Sequence, residues 1–270
     1  MKIGFIGIGN MGGAILSGYA ASGEATGNEL AACDMNRQLC EKMKSRTEGI
    51  KFYDSAEELC SACEIIVIGV KPQVIEGVLS EIKDVYDDSK VVVSMAAGVD
   101  IKLLESYLGK DGQIIRIMPN TPAMVGEAMI AVCRNENVNP ENFDFIMDMF
   151  NSVGKAQEIE ENLMDCVIGV SGSSPAYTYM YIEALVQAAV ENGMTYDKAK
   201  VFAAQAVIGA AKMALESSES LEQLRINVCS PNGTTIEAVN KLFENGFMDK
   251  VKEGFQAAVD RSIEMTEEKK

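Results

Sequence analysis

Six short runs, KIGFIG, ELAACD, EIIVIGV, KVVVSMA, QIIRIM and AMIAVC, recur between residue 1 and about residue 160, with helix-like segments between them. Their apolar residues are consecutive rather than alternate. A strand built from them therefore presents hydrophobic side chains on both faces, and both faces must be covered. Strands of this kind separated by helices predict an α/β domain, a Rossmann-type doubly wound parallel sheet with helices on either side.

Strand signals stop after residue 161, and the remainder reads as helices. Ser174-Pro175 offers an N-cap and a proline at the first helical position, and Asn192-Gly193 offers a stop. Thr195, Ser220 and Thr234 open further helices, the last closed by Gly246. The expected division is a dinucleotide-binding domain over 1–161 and an all-helical substrate-binding and dimerisation domain over 162–270. AYTYMYIEALVQAAV and VFAAQAVIGAAKMAL are apolar nearly all round, more than a helical domain of this size can bury alone. A second copy of the chain is the expected partner.

The 270 residues, 47% of them hydrophobic and 24% charged, suffice for such cores. A net charge of -16 leaves no basic stripe to neutralise phosphates, so nucleic acid is not an expected partner. No run approaches the roughly 18 apolar residues of a membrane span, and MKIGFIGIGN lacks the features of a signal peptide. Seven scattered cysteines fit reduced thiols in a cytoplasm. The Cys60-x-x-Cys63 pair ends a predicted helix without a second pair or any histidine, a poor setting for zinc or redox chemistry.

In IGFIGIGNMGGAIL, Gly7, Gly9 and Gly12 have the GxGxxG spacing, follow the first predicted strand and open a helix. That context is the one in which the motif binds a dinucleotide pyrophosphate at a helix N-terminus. The second strand ends in Asp34-Met35-Asn36-Arg37. An acid there favours a free ribose 2′-hydroxyl, whereas Asn36 and Arg37 suit a 2′-phosphate, so NADH and NADPH both remain open.

The chain contains no histidine, which closes the commonest acid–base route of nicotinamide dehydrogenases. Two Tyr-x-x-x-Lys pairs, Tyr86/Lys90 and Tyr196/Lys200, lie away from where such a pair must meet a nicotinamide. A substrate that arrives protonated, such as an iminium ion, needs only orientation, a hydrogen bond near nitrogen and an anchor. CSPNGTTIEAV at 229–239 offers these. Ser230-Pro231-Asn232-Gly233 is a β-turn sequence, Thr234 and Glu237 have capping-box spacing, and Thr235 stands beside the first N–H groups of a helix. Clustered hydroxyls at a helix N-terminus suit a small carboxylate.

SGSSPAYTYMYIEALVQAAVENGM, CSPNGTTIEAV, IMPNTPA and VIGVKPQ together resemble the pyrroline-5-carboxylate reductase family, from Met1 to about Arg261. The resemblance implies NADPH- or NADH-dependent reduction of the cyclic imine Δ1-pyrroline-5-carboxylate to L-proline, the last step of proline biosynthesis. It implies a homodimer of interleaved helical domains, often assembled into rings of dimers. By the same resemblance Ile6, Gly7, Ile8, Gly9, Asn10 and Met11 hold the pyrophosphate. Val70, Lys71, Pro72, Ala96 and Ala97 line the cofactor, joined by Asp34 and Asn36 at its ribose and by Asn227 from the helical domain. Ser230, Gly233, Thr234 and Thr235 cradle the substrate carboxylate, Thr235 also bonds the ring nitrogen as the catalytic residue, and Glu161 lies near the substrate. The chain departs from the family where Asn232 replaces a glycine, Ser174 stands where glycine is commoner, and Ala56 replaces an asparagine at the adenine-side ribose. The rival readings are a β-hydroxyacid-type dehydrogenase, needing a catalytic lysine such as Lys198, Lys200 or Lys212, and a non-catalytic nucleotide sensor.

Overall fold

The computed structural model describes residues 1–268 and divides into two compact units, Met1–Ser173 with the segment from Ala258 onward, and Ser174–Ala257. In the first unit β1 (Lys2–Ile6), α1 (Asn10–Ala21), β2 (Glu29–Cys33), α2 (Arg37–Lys44), β3 (Lys51–Phe52), α3 (Ala56–Ala62), β4 (Ile65–Ile68), α4 (Ile75–Ile82), β5 (Val91–Ser94), α5 (Ile101–Leu108) and β6 (Gln113–Met118) alternate. β7 (Ala128–Arg134), α6 (Pro140–Asn151) and β8 (Gly154–Glu158) follow. The sheet order is β3-β2-β1-β4-β5-β6-β7-β8.

All six runs read as strands are strands. Successive residues of β4 show why the runs are continuously apolar. Ile65 and Val67 join the core that α1 and α6 cover with Leu16 and Phe150, while Ile66 and Ile68 join the core that α3, α4 and α5 cover with Leu59, Leu79 and Leu104. Each such side chain contributes about 1.5–3 kcal/mol on burial.

The sheet departs from the expected all-parallel form at β7, which runs antiparallel to β6. A parallel return needs a crossover of a dozen or more residues, and the short β6–β7 link carries only a 3-10 turn at Thr121–Val125. α6 then supplies a true crossover, and β8 pairs parallel to β7. β3 and β8 have no counterpart among the six runs. β3 is two residues long, and β8 (GKAQE) is a polar edge strand whose Lys155 and Glu158 discourage pairing with another chain.

The chain leaves the sheet through a 3-10 turn (Glu161–Leu163), α7 (Met164–Val167) and a π-helical turn (Ile168–Gly172). Glu161 anchors this exit. Its Oε1 accepts from the Ile101 N–H at 2.8 Å and from Arg116 Nη1 at 3.1 Å. The Arg116 side chain is only 4% exposed, and its Nε has no hydrogen-bond partner among the described residues. Ser262 Oγ donates to Asp165 Oδ1 at 2.5 Å, tying the returning C-terminal segment to α7.

The second unit begins with α8 (Ser174–Glu191) and α9 (Tyr196–Glu216), followed by α10 (Leu221–Val228), α11 (Thr234–Glu244) and the start of α12 (Phe247–Glu267). The expected boundary at 161/162 falls at the exit turn, and the compact units part later, between Ser173 and Ser174. Ser174 is already helical rather than an N-cap, because the π turn delivers the chain in helical conformation. The helix openings expected at Thr195 and Ser220 are present, and Gly193 and Gly246 take positive φ just past the ends of α8 and α11. The core of this unit among the described residues is Val186, Ala199 and Ala203, whereas Met180, Phe202 and Leu215 are 68–71% exposed.

Glu161→Ala removes a charged hydrogen bond and leaves the Arg116 guanidinium buried without its partner. We expect a loss of about 1.5–3 kcal/mol in urea unfolding, and an unchanged midpoint contradicts the anchoring role. Burial pushes the Cys60 and Cys63 thiols up to about 11 and Cys133 up to about 12. These thiols are neutral in the fold, so stability is full below the unfolded thiol pKa of about 8.5 and falls as pH rises from there through the native values. In the native protein at pH 8, exposed Cys166 is expected to react with a thiol reagent much faster than Cys60 or Cys63, which peptide mapping checks.

Candidate active site

The strand order reverses between β1 and β4, and in open α/β sheets the crevice at the carboxyl ends of such strands is where ligands bind. Here the glycine loop occupies it. Gly7 has φ +88°, a conformation L side chains rarely adopt, and a Cβ on Gly12 would lie 2.2 Å from the Gly7 carbonyl oxygen. Glycine at both positions is therefore required for α1 to start against the end of β1. Gly9 caps α1 without a side chain, and a Cβ built there meets nothing within 4 Å. The first N–H groups of α1, including those of Asn10 and Met11, thus open onto free space, a fit for a dinucleotide pyrophosphate.

A groove of about 650 Å³ runs beside this loop. Ile6, Gly7 and Gly9 meet Asp34 and Met35 from the β2 end, Asp54 and Ala56 from the α3 entrance, and Val70, Lys71 and Glu81 from β4 and α4. Asp34 is held firmly: Ile8 N–H donates to its Oδ2 and Asn36 N–H to its Oδ1, both at 2.8 Å. Asn36 Oδ1 in turn caps α2 by accepting from Gln38 N–H at 3.0 Å. Pro72 follows Lys71 at the same sheet edge. Ala96 and Ala97 follow β5; the first is buried and the second half-buried.

In the helical unit the 229–235 segment forms the expected turn. Gly233 N–H donates to Ser230 O at 3.0 Å, and Asn232 has φ +57°, alone in that region among the described non-glycine residues. Asparagine tolerates this conformation, so the turn keeps the form its sequence calls for. A Cβ on Gly233 would lie 2.2 Å from Ser230 Oγ, which keeps that position to glycine. The expected Thr234/Glu237 capping box is absent. Gly233 is the N-cap, Thr234 is already the first helical residue, and no side chain caps α11. The hydroxyls of Ser230, Thr234 and Thr235 make no hydrogen bond among the described residues.

Two of the expected site residues make hydrogen bonds within the protein. Glu161, expected beside the substrate, holds Arg116 and the α5 entrance. Asn227, expected on the cofactor, donates to Glu219 Oε2 and accepts from Gln223 Nε2, both at 2.8 Å, and keeps a second N–H for a ligand. The Tyr86/Lys90 pair is structural: Tyr86 Oη donates to the Lys90 carbonyl, and burial raises its pKa. The CxxC pair is buried among Leu59 and Ile66, and no metal-holding cluster exists among the described residues.

Sequence reasoning missed Asp54 and Glu81 in the groove and the role of Asn120 in IMPNTPA. Asn120 is buried, donating to Ser171 O at 3.0 Å and accepting from Met129 N–H at 2.9 Å, so it fastens the β6–β7 link to the π turn. The motif was visible, but its partner 51 residues on was not.

Residues 161–265 match the family model described as pyrroline-5-carboxylate reductase dimerisation, and residues 2–98 match that described as NADP oxidoreductase coenzyme F420-dependent. The pyrroline-5-carboxylate reductase of Escherichia coli (strain K12) is 44% identical, with 98% of each chain covered. Among solved structures, the pyrroline-5-carboxylate reductase from Coxiella burnetii is similar at a TM-score of 0.90 and 33% identity, covering 98% of both chains. The Plasmodium falciparum pyrroline carboxylate reductase, solved with NADP bound, is similar at 0.88 and 34%, again over 98% of both. With its glycine-loop sheet, its apolar helical unit and this full-length likeness, the chain belongs to the pyrroline-5-carboxylate reductase family.

Proposed function

We propose that this protein reduces Δ1-pyrroline-5-carboxylate to L-proline with a reduced nicotinamide dinucleotide. The observation that carries the reading is the 230–235 turn. It presents three hydroxyls and the N-terminus of α11 without an internal partner, in a chain with no histidine for acid–base work.

Each residue has a defined task. The glycine loop and the start of α1 hold the pyrophosphate, with Val70, Lys71, Pro72, Ala96 and Ala97 lining the cofactor. The N–H groups that open α11, with Ser230 and Thr234, hold the substrate carboxylate by charge-assisted hydrogen bonds. Thr235 is the catalytic residue, orienting the ring nitrogen through its hydroxyl. The reduced nicotinamide supplies the hydride, which the C=N carbon accepts. The nitrogen enters as an iminium and keeps its proton, so no protein acid is consumed. Asn227 is assigned to the cofactor and Glu161 to the substrate, the first held by Glu219 and Gln223 and the second by Arg116 and the Ile101 N–H.

The working form is a homo-oligomer built on the dimerisation helices, and we extend this to a ring of dimers located in the cytoplasm. The seven cysteines are all unpaired thiols, in keeping with a reducing compartment. The charge of -16 opposes association with nucleic acid, and no described helix is long and apolar enough to cross a membrane.

Absorbance at 340 nm with Δ1-pyrroline-5-carboxylate and each reduced cofactor tests the reading directly; absence of turnover with both refutes it. Thr235→Ala is expected to lower kcat/KM by roughly 10–10³-fold with little change in stability, the range for one oriented hydrogen bond, and unchanged kinetics remove its assigned role. Lys212→Met is expected to retain activity, and a loss beyond 10²-fold in a folded variant would favour the hydroxyacid dehydrogenase reading.

A further inference from the structure

We propose that the last turns of α12 position the cofactor by bracing the 96–100 loop, and that Ser262 is the positioning residue that holds the brace in place. The inference deepens the reductase reading and rests on it in one respect, that Ala96 and Ala97 line the cofactor.

The loop joins β5 to α5 at the carboxyl end of β5, next to β4 in the sheet. Both of its ends are tied. Met95 N–H donates to the Ile68 carbonyl at 3.2 Å, and Asp100 Oδ1 caps α5 by accepting from Leu103 N–H at 2.8 Å. Glu161 takes the neighbouring Ile101 N–H. Between these ties the backbone of 97–99 makes no hydrogen bond among the described residues, so packing alone holds its course. Gly98 turns there with φ +68°, a conformation open to glycine and costly for other residues.

The packing partner is the end of α12, which belongs to the same unit as the loop. A Cβ on Gly98 would lie 3.1 Å from the carbonyl carbon, carbonyl oxygen and Cβ of Met265, so the glycine lets one main chain pack on the other. Val99 and Ala96 are buried on either side, whereas Ala97 is half-buried and partly open. The end of α12 is itself fastened one turn earlier. Ser262 is buried, and its Oγ donates to Asp165 Oδ1 on α7 at 2.5 Å, across 97 residues of chain. A hydroxyl bonded to a carboxylate is among the stronger hydrogen bonds, and this one fixes where α12 ends against the sheet domain. Thr266 and Arg261 add no such tie, since Thr266 Oγ1 donates to Ser262 O and Arg261 reaches Glu264 and Glu268, all along the same helix. When the Ser262 bond is lost, the end of α12 is free to move, Gly98 loses its wall, and the backbone of Ala96 and Ala97 loses its fixed place.

Nucleotide affinity is measured on the purified full-length protein by fluorescence titration with NADH and NADPH, so the readout is independent of turnover. Ser262→Ala and Asp165→Ala each delete the tie, whereas Asp165→Asn keeps an acceptor for the Ser262 hydroxyl. We expect both alanine variants to bind nucleotide at least about threefold more weakly, within the range that one hydrogen bond contributes. The KM for the nucleotide is expected to rise with it, while the KM for Δ1-pyrroline-5-carboxylate stays unchanged and Asp165→Asn binds nucleotide like the unmodified protein. A merely structural bond would lower the thermal midpoint of the alanine variants without moving nucleotide affinity. That outcome overturns the inference and leaves the reductase reading standing, as does a matching rise in both KM values or an equal loss of affinity in Asp165→Asn. Failure of the unmodified protein to bind either nucleotide overturns both. If neither alanine variant folds, Gly98→Ala, which crowds Met265 and leaves the Ser262 bond untouched, carries the test, and unchanged nucleotide affinity there overturns the inference.

Discussion

The Gly7 carbonyl oxygen lies where a Cβ on Gly12 would come within 2.2 Å, and the rest of the nucleotide-binding unit depends on that contact. It lets α1 begin directly on the end of β1, so its unsatisfied N–H groups open at the point where the strand order reverses. With the loop in place, Ile8 N–H meets Asp34 and fixes the end of β2. Gly69, across the loop, has equally little room: a Cβ there would lie 2.7 Å from the same Gly7 carbonyl. Three chain segments thus converge on one oxygen atom, and a methyl group on either neighbouring glycine would push them apart.

A chain with a net charge of -16 can still hold anionic ligands because its attraction is local. Helix N-termini and backbone N–H groups supply positive potential over a few ångströms, while the diffuse surface charge is screened within about 10 Å at 0.1 M salt. The same short range makes individual carboxylates matter. Asp34 and Glu81 are each held by backbone donors, which fixes their places at the groove rim. The lack of histidine fits a substrate whose nitrogen is already protonated, since only orientation is then required of the protein.

The helical unit carries two unrelated constraints on adjacent elements. Its turn holds Asn232 at φ +57° and leaves the hydroxyls beside it free. Its long helices leave Met180, Phe202 and Leu215 largely exposed around a core of three small or medium side chains. Apolar side chains in water on this scale are stable when a second copy covers them, which agrees with the match to a dimerisation family.

The six apolar strands, the glycine loop, the turn at 230–233 and the need for a partner were all legible in the sequence, because each rests on local chemistry: periodicity, backbone freedom or an unburied apolar face. β8 and the direction of β7 were not. Edge strands lack the apolar signal, and strand direction follows from how far a short link can reach. The capping box did not form, since the folded turn makes Gly233 the N-cap and only folding decides where helical dihedral angles begin. The uses of Glu161, Asn120 and Glu81 were hidden for a common reason: each has a partner 25 to 60 residues away along the chain. The sequence by itself determined which elements form and which backbone turns can exist. Only the tertiary structure decided which polar groups are already paired and which are left for a ligand, because pairing depends on distances that folding alone creates.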